Sequence, residues 1–477
     1  MNLSRRGFFK ATGGALATTL AFELSATTPA FAEETKKEWK LEKTEEATNI
    51  CCYCAGGCGS LCSSRDGELI NLEGDPEHPI NEGGLCPKGA TMFQLRNIVD
   101  PETREVIKNP DRITRPMVRR PGANEWEDIS WDDAVAEIAR HVKDTRDATF
   151  IEKNEDGLTV NYTPAMASLG GSQENSEEQY LILKMMRSLG IVAVDNQARV
   201  CHSSTVVGLA PTFGRGSMTS HWTDMANADY ILHRAHERGA KWIVVDPRYT
   251  RTAEQADIYC PLRSGTDIAF YGGMYHYIIE NLIEPGLAEY NRTGVNPASY
   301  NFEYFVNYTN ASYLINPDFE FDAATGLFSG WDEETKTYDN ETWHYQTESV
   351  EEWDTSATGD YAWVNKPGTP EFTPPTFNKP KRDLTLQDPN CVYQLFKKQY
   401  ERYDIDTVCS ICGMDHDTLE LVYKTYSESG APGKSGTILY ALGQTQHSYG
   451  GQNTRAMSIL QLLLNNIGVP GGGVNAL

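Results

Sequence analysis

The chain has 477 residues and a formal net charge of −24 at pH 7, so it is long enough for several domains and strongly acidic. Because an acidic surface repels nucleic-acid phosphates, no DNA or RNA partner is expected. A hydrophobic content of 40% beside 23% charged residues is typical of a soluble globular protein.

The first 32 residues are predicted to be an export signal. Residues 4–10 read Ser-Arg-Arg-Gly-Phe-Phe-Lys, a weakly apolar stretch follows, and Ala30-Phe31-Ala32 matches a small-residue cleavage site. The apolar stretch is shorter than the ~20 residues that span a bilayer. The order of these features favours a twin-arginine signal over an ordinary basic terminus. We therefore expect a periplasmic protein that folds around a cofactor before export and has no membrane span of its own.

Residues 33–105 are predicted to form a linker and a small β-rich module that binds metal. Cys51, Cys54 and Cys58 lie on one glycine-rich loop, and Cys86 follows later in the chain. Such clustering favours metal binding over a disulfide framework. Four thiolates suit a 4Fe–4S cubane, one per iron. Structural zinc is the alternative, although zinc sites prefer two CxxC pairs.

Residues 106–196 are predicted to form a first α/β segment. Ser130 and Asp133 have the spacing of a helix N-cap pattern, which begins an amphipathic helix running to about Val142. A loop from residue 165, a helix over residues 175–189 and a buried strand are predicted to follow.

Cys201 and His202 directly follow that strand. A lone cysteine is more often a small buried hydrophobe than a ligand. Arg199 and His202 would favour its thiolate form, and a soft thiolate suits molybdenum, tungsten, zinc or iron. From the residues alone, both interpretations of Cys201 remain open.

Residues 197–477 are predicted to be a second α/β domain that binds a dinucleotide. A β-branched strand ends at Asp246, where a carboxylate can accept hydrogen bonds from a ribose or a guanine edge. A glycine turn before Asp267 and a segment after the strand at residues 437–442 offer backbone amides for phosphate. Each signal is weak alone; Asp267 could be a helix cap, Arg248 a surface charge and His447 structural. The candidate residues are Asp246, Arg248, Arg263, Gly265, Thr266, Asp267, Gly443, Thr445, Gln446 and His447.

The remaining elements of this domain are read from periodicity. An amphipathic helix is predicted for residues 267–283, a long surface insertion for about 284–388, and helices for 391–403, 415–428 and 452–466. Cys409 and Cys412 have redox-pair spacing but no βα redox context, which favours a structural or free pair. His276 is predicted to be a core histidine.

Several of these motifs resemble one known family. The cysteine loop, the run Asn-Leu-Glu-Gly-Asp-Pro at residues 71–76 and Cys-Pro-Lys-Gly-Ala at residues 86–90 resemble the cluster module of molybdopterin oxidoreductases. The run from Val200 to Gly216 is similar to the active-site segment of the formate dehydrogenases within that family. The resemblance covers nearly the whole chain but only about half of a full family subunit.

The resemblance implies a reaction and its cofactors. A molybdenum or tungsten ion held by two molybdopterin guanine dinucleotides would have Cys201, or a selenocysteine there, as its protein ligand. His202 would handle the proton released when formate becomes carbon dioxide. Lys88, which its local sequence alone marks as a surface lysine, would pass electrons from a pterin to the cluster. An iron–sulfur β subunit, possibly with a membrane cytochrome, would receive them.

Two departures from the family pattern lead to a cautious expectation. Only residues 233–240 separate Leu232 from Lys241, which is too short for a helical crossover between parallel strands. The printed chain also stops where the family continues with its substrate arginine and second half. The chain as written is therefore expected to bind a cluster but not to turn over formate.

Two other functions remain open on this evidence. One is another oxidoreductase of the family, such as a periplasmic nitrate reductase, against which His202-Ser203-Ser204 argues. The other is a non-catalytic iron–sulfur fragment.

Overall fold

The computed structural model describes residues 39–54, 56–171, 174–229, 239–322, 325–349 and 378–476. The predicted signal at residues 1–32 and most of the link at 233–240 lie outside these ranges. Contacts divide the chain into one unit of Met1–Tyr53 with Gly57–Ile129 and another of Cys54–Gly56 with Ser130–Leu477. The three-domain division stays a prediction. Across the ranges just given, no helix combines the length and apolarity needed to cross a membrane.

The first unit is β-rich, as predicted. Its main feature is an antiparallel sheet in the order β1-β2-β3, in which Ile50 pairs with Gly59 and Ser60 with Gly74. A short helix, α1, begins just after Cys86. The elements are β1 (Glu45–Ile50), β2 (Gly59–Arg65), β3 (Glu68–Gly74), α1 (Pro87–Ala90), β4 (Asn97–Val99), β5 (Val106–Lys108), β6 (Met117–Val118) and β7 (Glu127–Asp128).

The second unit begins with a three-stranded sheet and two helices. Ser130 caps the first helix through a hydrogen bond from Asp133 N (3.0 Å), and Asn175 with Glu178 forms a capping box on the second. The sheet has the order β10-β9-β8, with β9 and β10 parallel. The elements are α2 (Trp131–Thr149), β8 (Ile151–Lys153), β9 (Thr159–Gly170), α3 (Ser176–Leu189) and β10 (Ile191–Asn196).

Three expectations for this region were wrong. Helix α2 continues past Val142 to Thr149, because the ion pair of Lys143 with Asp147 supports a polar last turn. The predicted loop at residue 165 is part of strand β9, which pairs on both sides. Strand β10 is an edge strand and largely exposed, with Val192 66% accessible, rather than buried.

The rest of the second unit alternates short parallel strands with helices. Strand β11 pairs in parallel with β12, and β19 with β20. Each of β11, β12 and β19 is followed at its carboxyl end by one of the predicted cofactor segments. The elements are α4 (Gln197–Cys201), α5 (Ser203–Phe213), β11 (Ile243–Val245), α6 (Arg251–Glu254), β12 (Ile258–Cys260), α7 (Asp267–Ile278), β19 (Thr437–Tyr440), α13 (Leu442–Thr445), α14 (Gly450–Leu463) and β20 (Gly473–Ala476).

Helix α7 is the central element of the core and is not amphipathic as predicted. It is buried on nearly all sides, with Phe270 and Tyr275 at most 2% exposed. A Cβ added at Gly273 would lie 2.6 Å from the Tyr423 hydroxyl, which itself donates to Phe270 O at 2.7 Å. The glycines that weaken the apolar pattern of this helix therefore mark close helix packing.

Residues 284–388 were predicted to be a surface insertion without helical periodicity. Both ends of this segment depart from the prediction. Two helices occur there, and Tyr300, Phe302 and Leu386 are completely buried in the core. The predicted helices at 391–403 and 415–428 are present. The elements are α8 (Glu284–Thr293), α9 (Phe302–Tyr308), β13 (Phe321–Asp322), β14 (Leu327–Phe328), β15 (Trp331–Asp332), β16 (Thr337–Tyr338), β17 (Thr347–Ser349), β18 (Asn378–Pro380), α10 (Val392–Tyr400), α11 (Ile405–Cys412) and α12 (His416–Ser427).

Candidate active site

The segments that follow β11, β12 and β19 line a single cavity of about 510 Å³. Ligands of α/β proteins bind in such a crevice outside the carboxyl ends of the strands. Five of the predicted residues line the cavity: Asp246, Gly265, Asp267, Gly443 and His447. Five do not: Arg248, Arg263, Thr266, Thr445 and Gln446. The carboxyl groups of Asp246 and Asp267 provide hydrogen-bond acceptors, which suit N–H donors of a ligand better than its phosphates.

Asp246 is fixed by the turn that follows β11. Its Oδ1 accepts a hydrogen bond from Arg248 N at 2.7 Å, and its backbone oxygen accepts one from Tyr259 Oη at 3.0 Å. Desolvation and the Asp246 carboxylate raise the pKa of Tyr259, so the phenol stays a neutral donor. Arg248 therefore supports Asp246 through its backbone.

Arg263 does not line the cavity. It donates hydrogen bonds to backbone oxygens at the end of helix α11. Its Nη1 donates to Ile411 O at 3.0 Å, and its backbone N donates to Cys412 O at 3.0 Å. A guanidinium at a helix C-terminus is favourable because the last carbonyls carry partial negative charge. Thr266 Oγ1 closes the same turn by donating to Arg263 O at 2.6 Å. Arg263 and Thr266 therefore support the segment that follows β12 without lining the cavity.

Gly265 allows the segment that follows β12 to approach the segment that follows β19. Its φ is +84°, and a Cβ built there would lie 2.6 Å from the Tyr449 hydroxyl. The Tyr449 ring stacks on His447 with centroids 5.4 Å apart. His447 Nε2 donates to Gly443 O at 2.8 Å, since a carbonyl can only accept. Tyr449 thus holds the histidine that lines the cavity.

Asp267 is the first residue of α7 and is 5% exposed. Its Oδ1 accepts a hydrogen bond from Gln444 Nε2 at 2.7 Å. The N-cap of this helix is Thr266 and not Asp267, so the alternative interpretation of Asp267 as a helix cap was wrong, and Asp267 lines the cavity. The same contact joins the second and third segments.

The segment of Cys201 and His202 adjoins the third cavity segment through helix α5. Ser204 Oγ donates to Thr445 O at 2.8 Å, and Tyr440 Oη donates to Thr205 Oγ1 at 2.9 Å. Cys201 ends α4 and its side chain lies outside the described atoms; His202 caps that helix and is exposed. Arg199 pairs with Asp195 at 3.4 Å, so its charge is shared with an acid.

In the first unit, Asn81 joins the cysteine loop to the segment that precedes Cys86. Gly59 N donates to Asn81 Oδ1 at 2.8 Å, while Asn81 Nδ2 donates to Gly59 O at 2.9 Å and to Gly84 O at 2.8 Å. A Cβ on Gly59 would lie 2.4 Å from the His78 ring, so only glycine fits. Asn81 therefore replaces backbone pairing across this loop.

The predicted cluster ligands differ in exposure. Cys51 is 9% exposed and its N donates to Cys58 O at 2.8 Å; Cys54 and Cys86 are exposed. Lys88 Nζ lies 5.2 Å from the centroid of the Tyr53 ring. Among the residues with described positions, no three His, Cys, Asp or Glu side chains are arranged to hold a metal ion. The ligand set therefore stays a prediction.

Sequence reasoning missed Gln444, Tyr449 and Asn81. Gln444 contacts Asp267, Tyr449 limits the space at Gly265, and Asn81 forms hydrogen bonds with Gly59 and Gly84. No local spacing signals the contacts with Asp267, Gly265 and Gly59, which lie further away in the chain. The remaining cysteines with described side chains, including Cys409 and the buried Cys412, form no disulfide. His276 is half-buried, with Nδ1 3.2 Å from Tyr400 O.

Two family models match the chain. The model for molybdopterin oxidoreductases matches residues 112–477, and that for the molybdopterin oxidoreductase Fe4S4 domain matches residues 44–97. These ranges include the cavity and the cysteine loop respectively.

Several individual proteins are similar to this chain over its full length. The chain is 41% identical to the formate dehydrogenase subunit alpha of Megalodesulfovibrio gigas and 41% identical to the nitrate-inducible formate dehydrogenase major subunit of Escherichia coli. Both matches take in 100% of this chain and 44% of the relative, so the chain spans less than half their length. Acetylene hydratase from Pelobacter acetylenicus shares the fold at a TM-score of 0.53 and 20% identity, over 90% of this chain and 44% of that one.

Proposed function

This chain belongs to the molybdopterin oxidoreductase family, and we propose that it acts in a formate dehydrogenase catalytic subunit. The observation that carries the proposal is the hydrogen bond from Ser204 Oγ to Thr445 O, which joins the helix after Cys201-His202 to the segment of Gly443 and His447. Relatives of 41% identity named as formate dehydrogenases support the same reaction. Formate is the proposed substrate and carbon dioxide the product.

The lining of the cavity is compatible with binding part of one dinucleotide of the proposed cofactor. Its 510 Å³ is within the usual range for a small-molecule site, and Asp246 and Asp267 offer carboxylate acceptors to N–H donors of a pterin or guanine ring. A second dinucleotide is proposed by family membership alone. When bound, the molybdenum or tungsten cofactor supplies two-electron redox chemistry.

Cys201 and His202 have separate proposed roles. The thiolate of Cys201 would be the protein ligand of the metal, since a soft sulfur donor suits such an ion. His202 is exposed at the end of α4, so its imidazole can pass a proton from the site to solvent. Ser204 and Thr205 attach the start of the next helix to Thr445 and Tyr440, which supports this assignment of roles.

Cys51, Cys54, Cys58 and Cys86 are the proposed ligands of one 4Fe–4S cluster. Their number and type match a cubane, and Asn81 holds the loop of Cys58 against the segment before Cys86. Lys88 is proposed to help electrons pass between pterin and cluster, with its ammonium placed by Tyr53. An iron–sulfur subunit, in some assemblies with a membrane cytochrome, would take the electrons in the periplasm.

The test is a compositional and kinetic assay of one preparation. The chain is produced anaerobically in a host that makes the guanine dinucleotide cofactor, and iron, zinc, molybdenum, tungsten and pterin are measured. Because the chain as printed is not expected to turn over formate, formate-dependent reduction of a viologen dye is then followed in the chain extended to the length of its relatives, with Cys201→Ala as the matched variant. Loaded protein that reduces the dye with formate only when Cys201 is present supports the proposal. Zinc in place of iron, or nitrate reduction without formate oxidation, contradicts it.

A further inference from the structure

Gln444 forms a polar contact in the cavity wall that deepens the proposed cofactor site. Its Nε2 donates to Asp267 Oδ1 at 2.7 Å, and its backbone oxygen accepts a hydrogen bond from Asn453 Nδ2 at 3.1 Å. The second bond fixes the Gln444 backbone to the first turn of α14. The side chain is therefore aimed at Asp267 from a rigid support.

The orientation of the Gln444 amide follows from Asp267. A carboxylate accepts and cannot donate, so the NH₂ end of the amide must face it. The other end, Oε1, is then buried with no hydrogen-bond partner among the described residues. An unpaired buried acceptor is unfavourable, so a purely structural glutamine would not be expected here. The arrangement serves Asp267.

The consequence for Asp267 is a fixed carboxylate plane. Oδ1 accepts a hydrogen bond from Gln444, so the Asp267 carboxylate can offer its other oxygen, Oδ2, to a ligand in the cavity that Asp267 lines. A carboxylate acceptor of fixed orientation distinguishes ring edges with N–H donors from edges without them.

We propose that Gln444 is a positioning residue that gives the cavity its selectivity for a 2-amino-4-oxopyrimidine edge. This edge presents a ring N–H beside an exocyclic NH₂, and guanine and pterin share it. The inference rests on the proposed function, because that function brings such a ring into the cavity. Gln444 acts through Asp267 and has no contact with reacting atoms.

The test compares ligands with and without the 2-amino group. Calorimetry on the full chain, produced in a host that makes no molybdopterin so that the cavity is free for ligand, measures GMP against IMP, and pterin against lumazine, so that the two pairs separate guanine from pterin binding. The wild-type chain should prefer the amino-bearing member of at least one pair. Gln444→Met, of similar shape but without the donor, should lower that preference about tenfold, as loss of an oriented charged hydrogen bond predicts. Gln452→Met, an exposed position on α14, is the matched control and should keep it.

A second variant separates positioning from packing. Gln444→Glu places two carboxyl groups face to face, so binding should be weak at pH 7 and should recover at acid pH, where the introduced carboxyl would be protonated and donate to Asp267. Tyr271 and Cys412 also lie near Asp267, and Asp246 and His447 line the same cavity. The wild-type chain, measured in parallel over the same pH range, is the reference for the contribution of these groups.

Three results would overturn the inference. These are an unchanged preference in Gln444→Met, a wild-type chain that prefers neither amino-bearing ligand, and a Gln444→Glu profile that follows the wild type. The pterin and metal content of the purified protein is measured separately. Protein that carries the cofactor but shows an unchanged Gln444→Met overturns the inference alone, whereas protein without cofactor overturns the proposed function.

Discussion

Ser204 Oγ donates a hydrogen bond to the backbone oxygen of Thr445 at 2.8 Å, although the two residues are 241 positions apart in the chain. The bond joins the helix that follows Cys201-His202 to the segment that carries Gly443 and His447. The Ser204 side chain thus joins the segment of the proposed metal ligand to a segment that lines the proposed cofactor cavity.

Replacing Ser204 with alanine should loosen this junction. One partly buried hydrogen bond is lost, which lowers the free energy of unfolding by about 1 kcal/mol. Pterin content should fall more than stability does, because the Cys201 segment loses its fixed position. Denaturant unfolding and pterin fluorescence of the purified protein measure the two effects. Ser203→Ala, at the adjacent position, is the control and should change neither; an equal effect of both variants would contradict the account.

Gly265→Ala should be destabilising for two separable reasons. The φ of +84° disfavours any side chain by about 1–2 kcal/mol, and the new Cβ would lie 2.6 Å from the Tyr449 hydroxyl. Gly294→Ala, at φ +69° with open space around it, should show only the backbone cost.

Combining Gly265→Ala with Tyr449→Phe isolates the steric part. In the Tyr449→Phe background, Gly265→Ala should lower the free energy of unfolding only by the backbone cost. Urea unfolding in a double-mutant cycle measures this difference. A double variant no more stable than Gly265→Ala would show that Tyr449 does not limit this turn.

Stability should fall in alkaline solution because of Cys260. Burial raises the pKa of its thiol to about 12 from an ordinary value of 9.0. The unfolded chain releases this proton above pH 9 while the folded chain retains it, so the contribution is complete below pH 9 and is lost as pH rises towards 12. Cys260→Ala should make the decline of unfolding free energy between pH 9 and 11 less steep. An unchanged slope would contradict the burial of this thiol.

Cluster binding should depend on four cysteines and not on their neighbours. Alanine at Cys51, Cys54, Cys58 or Cys86 should abolish a content of about four irons per chain and the reducible EPR signal. Cys52→Ala and Cys62→Ala are the controls, since both positions are off the ligand spacing, and they should retain the cluster. Loss of iron in either control would show that the ligand set is misassigned.

The sequence was sufficient where a local rule links residue type to position. Asp246 follows β11, Gly265 and Asp267 follow β12, and Gly443 follows β19, and parallel strands deliver such residues to one edge. The caps at Ser130 and Asn175 were predictable for the same reason, because each hydrogen bond joins residues three apart.

Features that depend on distant contacts were not predictable. Helix α7 looked amphipathic because Gly272 and Gly273 interrupt its apolar pattern, and only the packed Tyr403 and Tyr423 rings explain them. Arg263 was a candidate cofactor-binding residue, but its guanidinium donates to a backbone oxygen at the end of α11. Gln444 carried no signal, since its partner Asp267 is 177 positions away.

X-ray absorption at the molybdenum and tungsten edges of the purified chain tests the central claim most directly. The account predicts one of these metals in a sulfur-rich shell, with one sulfur fewer after Cys201→Ser and no change after Cys409→Ser. A chain without either metal, or with a shell that is the same in wild type and Cys201→Ser, would contradict Cys201 as the metal ligand beside the cavity.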